Sequence, residues 1–362
     1  IFRVYWDESA TQPGQTSALT PPPLAAALKK DFPEVLLATR FGAWGRRLVS
    51  AGDKSFPETR FKNADPTFLS MFTFPLLKGD PATALSNPYA VVLTEAAAAK
   101  YFGSDDPMGR TLKVDNSFDV VVTGVVRNVP AGSSLEFDLL SPFELVLKRY
   151  LADDARDNWG FNSFSTFVML ADADAGPGLG RKAADYFKKL EPEATDELAL
   201  QPLAAVHLRS RLGHDYDNTG DIKYVWIFGA LAAFILAIAG VNFVNLTTAR
   251  SANRAREVGL RKVVGATRAQ LVRQFFGESV LTALLSFAAA LLLLEFFLSP
   301  FNTLAAKRIP SILRADPFLL AAFFGLALAT GLLSGSYPAL VLSSFRPVLV
   351  LKGTLRSAAA NP

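Results

Sequence analysis

The sequence predicts an α+β domain over residues 1–220, an α-helical membrane domain over 221–350 and a short linker over 351–362. Three observations carry that division. Half of the 362 residues are hydrophobic, yet the long apolar runs all fall after residue 220. Before that point, short strand and helix signals alternate at the spacing of a soluble domain. A strongly basic run, residues 249–266, stands between two of the apolar stretches, where Lys and Arg set the orientation of a membrane chain.

Within the first domain, residues 22–32 read as a helix with Leu24, Ala27, Leu28 and Phe32 on one face. Residues 65–72 carry a second, shorter helical signal. Residues 94–102 are Ala-rich, with Thr94 as the cap and Gly103 just past the end. The β-branched run 118–126 reads as a strand, as do 164–170 and 198–203. Pro21, Pro22 and Pro23 mark one turn, and residues 130–132 another. Gly176, Pro177, Gly178 and Gly180 crowd into residues 172–180, which read as a turn before a helix over 180–190.

Three later stretches, 224–248, 271–298 and 317–343, each exceed the ~20 residues that a bilayer-spanning helix needs. Tyr224 and Trp226 open the first, as aromatics at a membrane interface do. Asp316 and Pro317 open the third, a cap followed by proline in the first turn. The loop between the first two spans carries Arg250, Arg254, Arg256, Arg261, Lys262, Arg268 and Arg273. The next loop has Lys307, Arg308 and Arg314, and the tail has Arg346, Lys352 and Arg356. The richest loop is cytoplasmic by the positive-inside rule. Residues 1–220 then lie outside the cytoplasm, in a multi-pass protein. Residue 1 is Ile with no secretory signal after it, so this reading expects a further span upstream.

Several chemistries find no support. A net charge of +4, concentrated beside apolar spans, does not read as a nucleic-acid face. Without cysteine there is no disulfide framework and no thiolate metal site. The run Gly176-Pro177-Gly178-Leu179-Gly180 lacks the Gly-Lys-Ser/Thr ending of a phosphate loop, and Pro177 removes one amide. His207 and His214, the only histidines, lie near Asp215 and Asp217; a metal site is conceivable there, but a solvated segment joining domain to membrane is the expected reading. No nucleophile–base set can be assembled, so a membrane-bound hydrolase is disfavoured. The reading is of a non-enzyme without cofactor.

Asn242, Asn245, Glu278 and Glu295 sit within or at the ends of spans. They read as helix–helix hydrogen bonding and interfacial carboxylates rather than as a polar path. Gly229, Ala233, Gly240 and the pair Gly331 and Gly335 offer small surfaces for close helix packing. The basic loop is more specific. As a helix, residues 251–264 place Val258, Arg261 and Lys262 at three- and four-residue spacing, one turn after Arg254. Such a helix suits anionic lipid or a protein groove, and Gly259 within it costs about 1 kcal/mol of helix stability.

The residues of this loop resemble a known family. Arg254-Ala255-Arg256-Glu257-Val258-Gly259-Leu260-Arg261-Lys262-Val263-Val264-Gly265-Ala266-Thr267, followed by Gln274-Phe275-Phe276-Gly277-Glu278-Ser279, resembles the hallmark of the MacB/FtsX-type ABC transporter permeases. Gly240-Val241-Asn242-Phe243-Val244-Asn245-Leu246 is similar to the end of their second membrane helix, and Ser334-Gly335-Ser336-Tyr337-Pro338 to the close of the fourth. In the outer domain, Phe74-Pro75-Leu76-Leu77-Lys78-Gly79-Asp80-Pro81, Lys100-Tyr101-Phe102-Gly103 and Thr123-Gly124-Val125-Val126 resemble the family's periplasmic core domain.

The resemblance implies a permease subunit without its own ATPase, the first half of a two-half form. Its partners would be a separate ABC ATPase on the cytoplasmic side, membrane lipid, and a second permease half or copy, with room for a periplasmic or outer-membrane partner. It further implies that residues 251–264 are the coupling helix, with Arg254, Arg256, Glu257, Gly259, Arg261 and Lys262 carrying ATPase coupling. Closure of the ATPases would move this helix and, through the spans, the periplasmic domain. The alternative is a membrane receptor with a periplasmic ligand-sensing domain. No motif selects a cargo.

Overall fold

The computed structural model describes residues 1–7, 16–43, 45–130, 132–149, 156–190, 197–216, 219–249, 258, 260–305, 309–311 and 317–344. The chain divides into two compact units, Ile1–Tyr224 and Val225–Pro362.

The first unit is built on one sheet. Its strands are β1 (Phe2–Asp7), β2 (Thr16–Ser17), β3 (Val35–Ala43), β4 (Arg47–Ala51), β5 (Lys54–Glu58), β6 (Phe61–Ala64), β7 (Leu76–Lys78), β8 (Ala90–Thr94), β9 (Thr111–Val114), β10 (Phe118–Val126), β11 (Leu139–Pro142), β12 (Ser165–Leu170) and β13 (Glu197–Pro202). The order is β13-β1-β12-β3-β6-β11-β8-β10-β9-β4-β5, with β2 paired to β1 and β7 to β10. Most pairs are antiparallel, while β10 with β8 and β11 with β6 are parallel. Six helices pack around it: α1 (Leu24–Asp31), α2 (Phe68–Met71), α3 (Glu95–Phe102), α4 (Phe143–Arg149), α5 (Gly176–Leu190) and α6 (Leu203–Arg209).

The helix and strand signals read from the sequence fall on α1, α2, α3, β10, β12 and β13. At α3 the local chemistry matches as well. The Thr94 side chain accepts a hydrogen bond from the Ala97 amide, as an N-cap does, and Gly103 takes φ +65° after the last turn. Sequence alternation did not reveal β8, because all five of its residues are buried. A strand covered on both faces loses the period-two pattern.

One expectation is corrected. Residues 172–180 are not a turn: α5 begins at Gly176, after a 3-10 turn over Ala173–Ala175. Pro177 lies in the first helical turn, where an amide has no intrahelical partner and its loss costs nothing. Gly176 is needed for contact, since a Cβ there would come 2.6 Å from the Phe2 ring. The helix then lays Leu179, Ala183 and Phe187 against β1, where Phe187 meets Trp6 edge-on at 4.4 Å.

A second correction concerns the segment around His207 and His214. The described residues from 210 to 221 are partly solvated, with His214 exposed, but they are held to the domain rather than free. Ala18 donates to the Gly213 carbonyl at 2.9 Å, and the Gly213 amide donates to Thr16 at 2.8 Å. The Tyr216 ring packs edge-on to Phe41 at 6.1 Å, and His207 Nδ1 pairs with the Ser134 hydroxyl at 3.1 Å. Asp215 forms an ion pair with the buried Arg3.

The second unit holds three long helices, Ile222–Ala249, Arg268–Ala305 and Pro317–Ser344, each long and apolar enough to cross a membrane. The first begins within the preceding unit. The second continues through Pro300, past the end expected at 298. Gly331 and Gly335 form the close contact of the third helix with the second: a Cβ on Gly331 would lie 2.9 Å from Ala283 Cβ, and one on Gly335 would lie 2.7 Å from Ser279 Cβ. Such small residues let helix backbones approach in lipid. Gly229, by contrast, has open space around it.

Candidate functional site

The described part of the basic loop is a helical turn, Val258 and Leu260 to Val263, joined to the second long helix by four residues. Its direction is set by one buried side chain. Val258 is only 3% exposed and packs with Leu271, Phe275 and Phe276. The end of the turn and the start of the next helix are both chemically specified. The Ala266 amide donates to the Arg261 carbonyl at 2.9 Å and the Gly265 amide to the Lys262 carbonyl at 3.1 Å, with Gly265 at φ +101°. This is the Schellman arrangement for ending a helix. Two residues later, Thr267 and Gln270 cap the next helix reciprocally. The Gln270 side chain accepts from the Thr267 amide at 2.9 Å, and the Thr267 hydroxyl accepts from the Gln270 amide at 3.4 Å, a capping box.

Of the residues expected to carry coupling, Arg254, Arg256, Glu257 and Gly259 lie outside the described residues. Arg261 points along the loop rather than away from it. Its guanidinium donates to the Gln274 side-chain oxygen, and Gln274 Nε2 donates to Glu278 Oε1 at 3.0 Å. Lys262 is half-buried. Among the described residues apolar side chains face outward beside it: Leu260 is 58% exposed, Val263 64% and Val264 87%. The helical spacing read from the sequence groups Val258 with Arg261 and Lys262 and does not single out these three. The usable signal was Leu260, Val263 and Val264 at three- and four-residue spacing, out of phase with the buried Val258.

Between the three spans lies a cavity of about 370 Å³, bordered by Gly240, Phe243, Ser279, Thr282, Phe287 and Thr330 among others, with no charged side chain on its wall. The Thr282 and Thr330 hydroxyls each donate to a carbonyl one turn back in their own helix, at 2.8 Å. Glu295 accepts a hydrogen bond from Ser311 at 2.7 Å. Thr282 and Thr330 thus spend their hydroxyls within their own helices, and among the described residues no hydrogen bond joins Asn242 or Asn245 to a neighbouring helix. No cluster of three His, Cys, Asp or Glu able to hold a metal occurs among the described residues.

A large α+β domain, three membrane-length apolar helices and a tightly specified basic turn between two of them define a multi-span membrane protein with an extracytoplasmic domain. Residues 1–183 match the MacB-like periplasmic core domain, and residues 229–347 match the FtsX-like permease C-terminal domain. The chain belongs to the MacB/FtsX-type ABC transporter permeases, with its α+β domain on the periplasmic side of the inner membrane. The macrolide export ATP-binding/permease protein MacB of Bdellovibrio bacteriovorus is 24% identical over 267 residues, 72% of this chain and 38% of that protein. The chain thus spans less than half the length of that relative. An uncharacterized ABC transporter permease of Bacillus subtilis, YvrN, is 23% identical over 359 residues, 93% of this chain and 81% of its own length. The periplasmic region of MacB from Actinobacillus actinomycetemcomitans is a similar solved structure, with a TM-score of 0.43 and 17% identity over 57% of this chain and 89% of that one.

Proposed function

We propose that this chain is the permease subunit of an ABC transporter that passes the conformational change of a separate cytoplasmic ATPase to its periplasmic domain. The observation that carries the reading is the apolar tip formed by Leu260, Val263 and Val264, followed directly by the helix end at Gly265 and the Thr267–Gln270 cap and flanked by basic residues. A positive-inside signal needs charge alone. Exposed apolar side chains on a well-specified turn fit a protein groove. Relatives support a nucleotide-driven partner: MacB is named an ATP-binding/permease protein and YvrN a permease. In this reading Arg254, Arg256, Glu257, Gly259, Arg261 and Lys262 complete the coupling region, residues 251–264. The periplasmic domain spans residues 1–220 and the membrane domain 221–350. The permease itself hydrolyses nothing.

The test is ATP hydrolysis by the ATPase encoded beside this gene, with and without the full-length permease in lipid. Stimulation that vanishes in a Leu260→Asp, Val264→Asp variant supports coupling through this tip. Stimulation equal to the parent's overturns it.

A second reading, a receptor with a ligand-sensing outer domain, rests on a cleft of about 610 Å³ edged by Phe72, Phe74, Arg127, Leu203, Val206 and His207. It predicts ligand-dependent protection of that cleft without any ATPase.

A further inference from the structure

Burying an arginine is costly unless its charge and its hydrogen bonds are both met. Arg3, on β1, is fully buried, and most of its partners come from the far end of the outer domain. Nη1 donates to Asp215 Oδ1 at 2.5 Å. Nη2 reaches the Ser210 hydroxyl at 2.6 Å, Gln201 Oε1 at 2.7 Å and Asp215 Oδ2 at 3.2 Å. Ser210 itself donates to Asp215, and the guanidinium lies 5.6 Å from the centre of the Tyr216 ring. Gln201 belongs to β13. Ser210, Asp215 and Tyr216 belong to the segment that enters the first long helix at Ile222.

The same segment is pinned on either side of this pair. A Cβ on Gly213 would come 2.5 Å from the Thr16 carbonyl oxygen, so the backbone is pressed against the edge of the domain there. The Gly220 amide donates to the His207 carbonyl at 2.7 Å. A tether that only joins two domains needs none of this, and an exposed chain would keep its entropy. A buried ion pair stabilises less than apolar packing of similar volume, and its best-attested use is to fix one arrangement.

We propose that Arg3 and Asp215 are positioning residues, making the exit segment and the sheet one mechanical body. A displacement of the first long helix then reaches β1 and β13 instead of being absorbed in slack chain. This rests on the coupling reading above, but the holding of the segment can be tested without it.

The experiment is hydrogen–deuterium exchange on the full chain in lipid nanodiscs with its ATPase, nucleotide-free and trapped with ADP and vanadate. The variant is Arg3→Met with Asp215→Leu, which removes both charges and leaves neither unpaired. Amides of β12 report whether the outer domain is still folded. The expected result is exchange at least ~10-fold faster at Gly213, Tyr216 and Gly220 with β12 unchanged. ATPase stimulation persists in the variant, while the nucleotide-dependent change across β1 and β13 seen in the parent is lost. Parent-like protection of the exit segment, or a surviving response at β1 and β13, overturns the proposal. If the variant does not fold, Asp215→Asn gives the same comparison. Absence of ATPase stimulation in the parent defeats the coupling reading instead, and exchange at the exit segment still decides whether the pair holds it.

Discussion

Gly335 on the third long helix lies so close to Ser279 on the second that a Cβ there would fall 2.7 Å from the Ser279 Cβ. In lipid, where tails are as apolar as leucine, this approach is what holds two helices together. Gly335→Leu therefore overpacks the contact, at a cost of about 1–3 kcal/mol. Gly229→Ala, facing open space, is neutral or slightly stabilising. Thermal unfolding of the purified full chain in detergent checks both. Equal midpoints for the two variants would show that the helices do not meet at this point.

The turn before the second long helix depends on Thr267 and Gln270 capping each other. Thr267→Ala removes the side-chain acceptor and costs about 1 kcal/mol, whereas Thr267→Ser keeps it. Amides at the start of the Arg268–Ala305 helix exchange faster in the first variant and remain parent-like in the second. Hydrogen exchange on the intact protein reads this directly.

Arg261 bonds to Gln274, which bonds to Glu278, so its role is expected to be internal. Gln274→Ala should leave the ATPase bound but lower its stimulation, because the tip loses its tie to the second helix. Glu257→Lys with Arg261→Glu should abolish stimulation without unfolding the outer domain. Co-purification and ATP hydrolysis, measured on the same sample, separate binding from coupling. Loss of binding in Gln274→Ala would assign the chain of bonds to the contact itself.

Tyr186 donates a hydrogen bond to Asp31 at 2.6 Å, and that bond, with a smaller contribution from burial, pushes its phenol up to about 12. The folded state therefore holds this proton more tightly than the unfolded chain does. The stability it contributes is whole below the ordinary phenol value near 10 and is lost as pH rises through about 12. Asp31→Asn should bring the tyrosinate absorbance of this residue back toward 10. An unchanged titration would mean that Asp31 is not the cause.

Much of this was legible in the sequence, and unevenly so. Helix α3 could be read with its cap because Thr94 and Gly103 act on their immediate neighbours. The strand β10 showed through its run of β-branched residues. The start of α5 was misread because Gly176 and Pro177 signal a turn locally, while the need for glycine there comes from Phe2, 174 positions away. At the tip, the charges were visible but not their direction. That Arg261 bonds back to Gln274 on the second long helix, and that Leu260, Val263 and Val264 are exposed, goes with Val258 packing on Leu271 and Phe275.

By itself the sequence determined the membrane spans, their orientation and the family, because hydropathy, Lys and Arg placement and local motifs act over one helix length or less. Only the tertiary structure decided that Arg3 and Asp215, 212 positions apart, form a buried pair that ties the exit of the outer domain to its first strand. A buried charge needs a partner from somewhere, but which partner is set by how the sheet closes around it, and no local pattern in the chain records that.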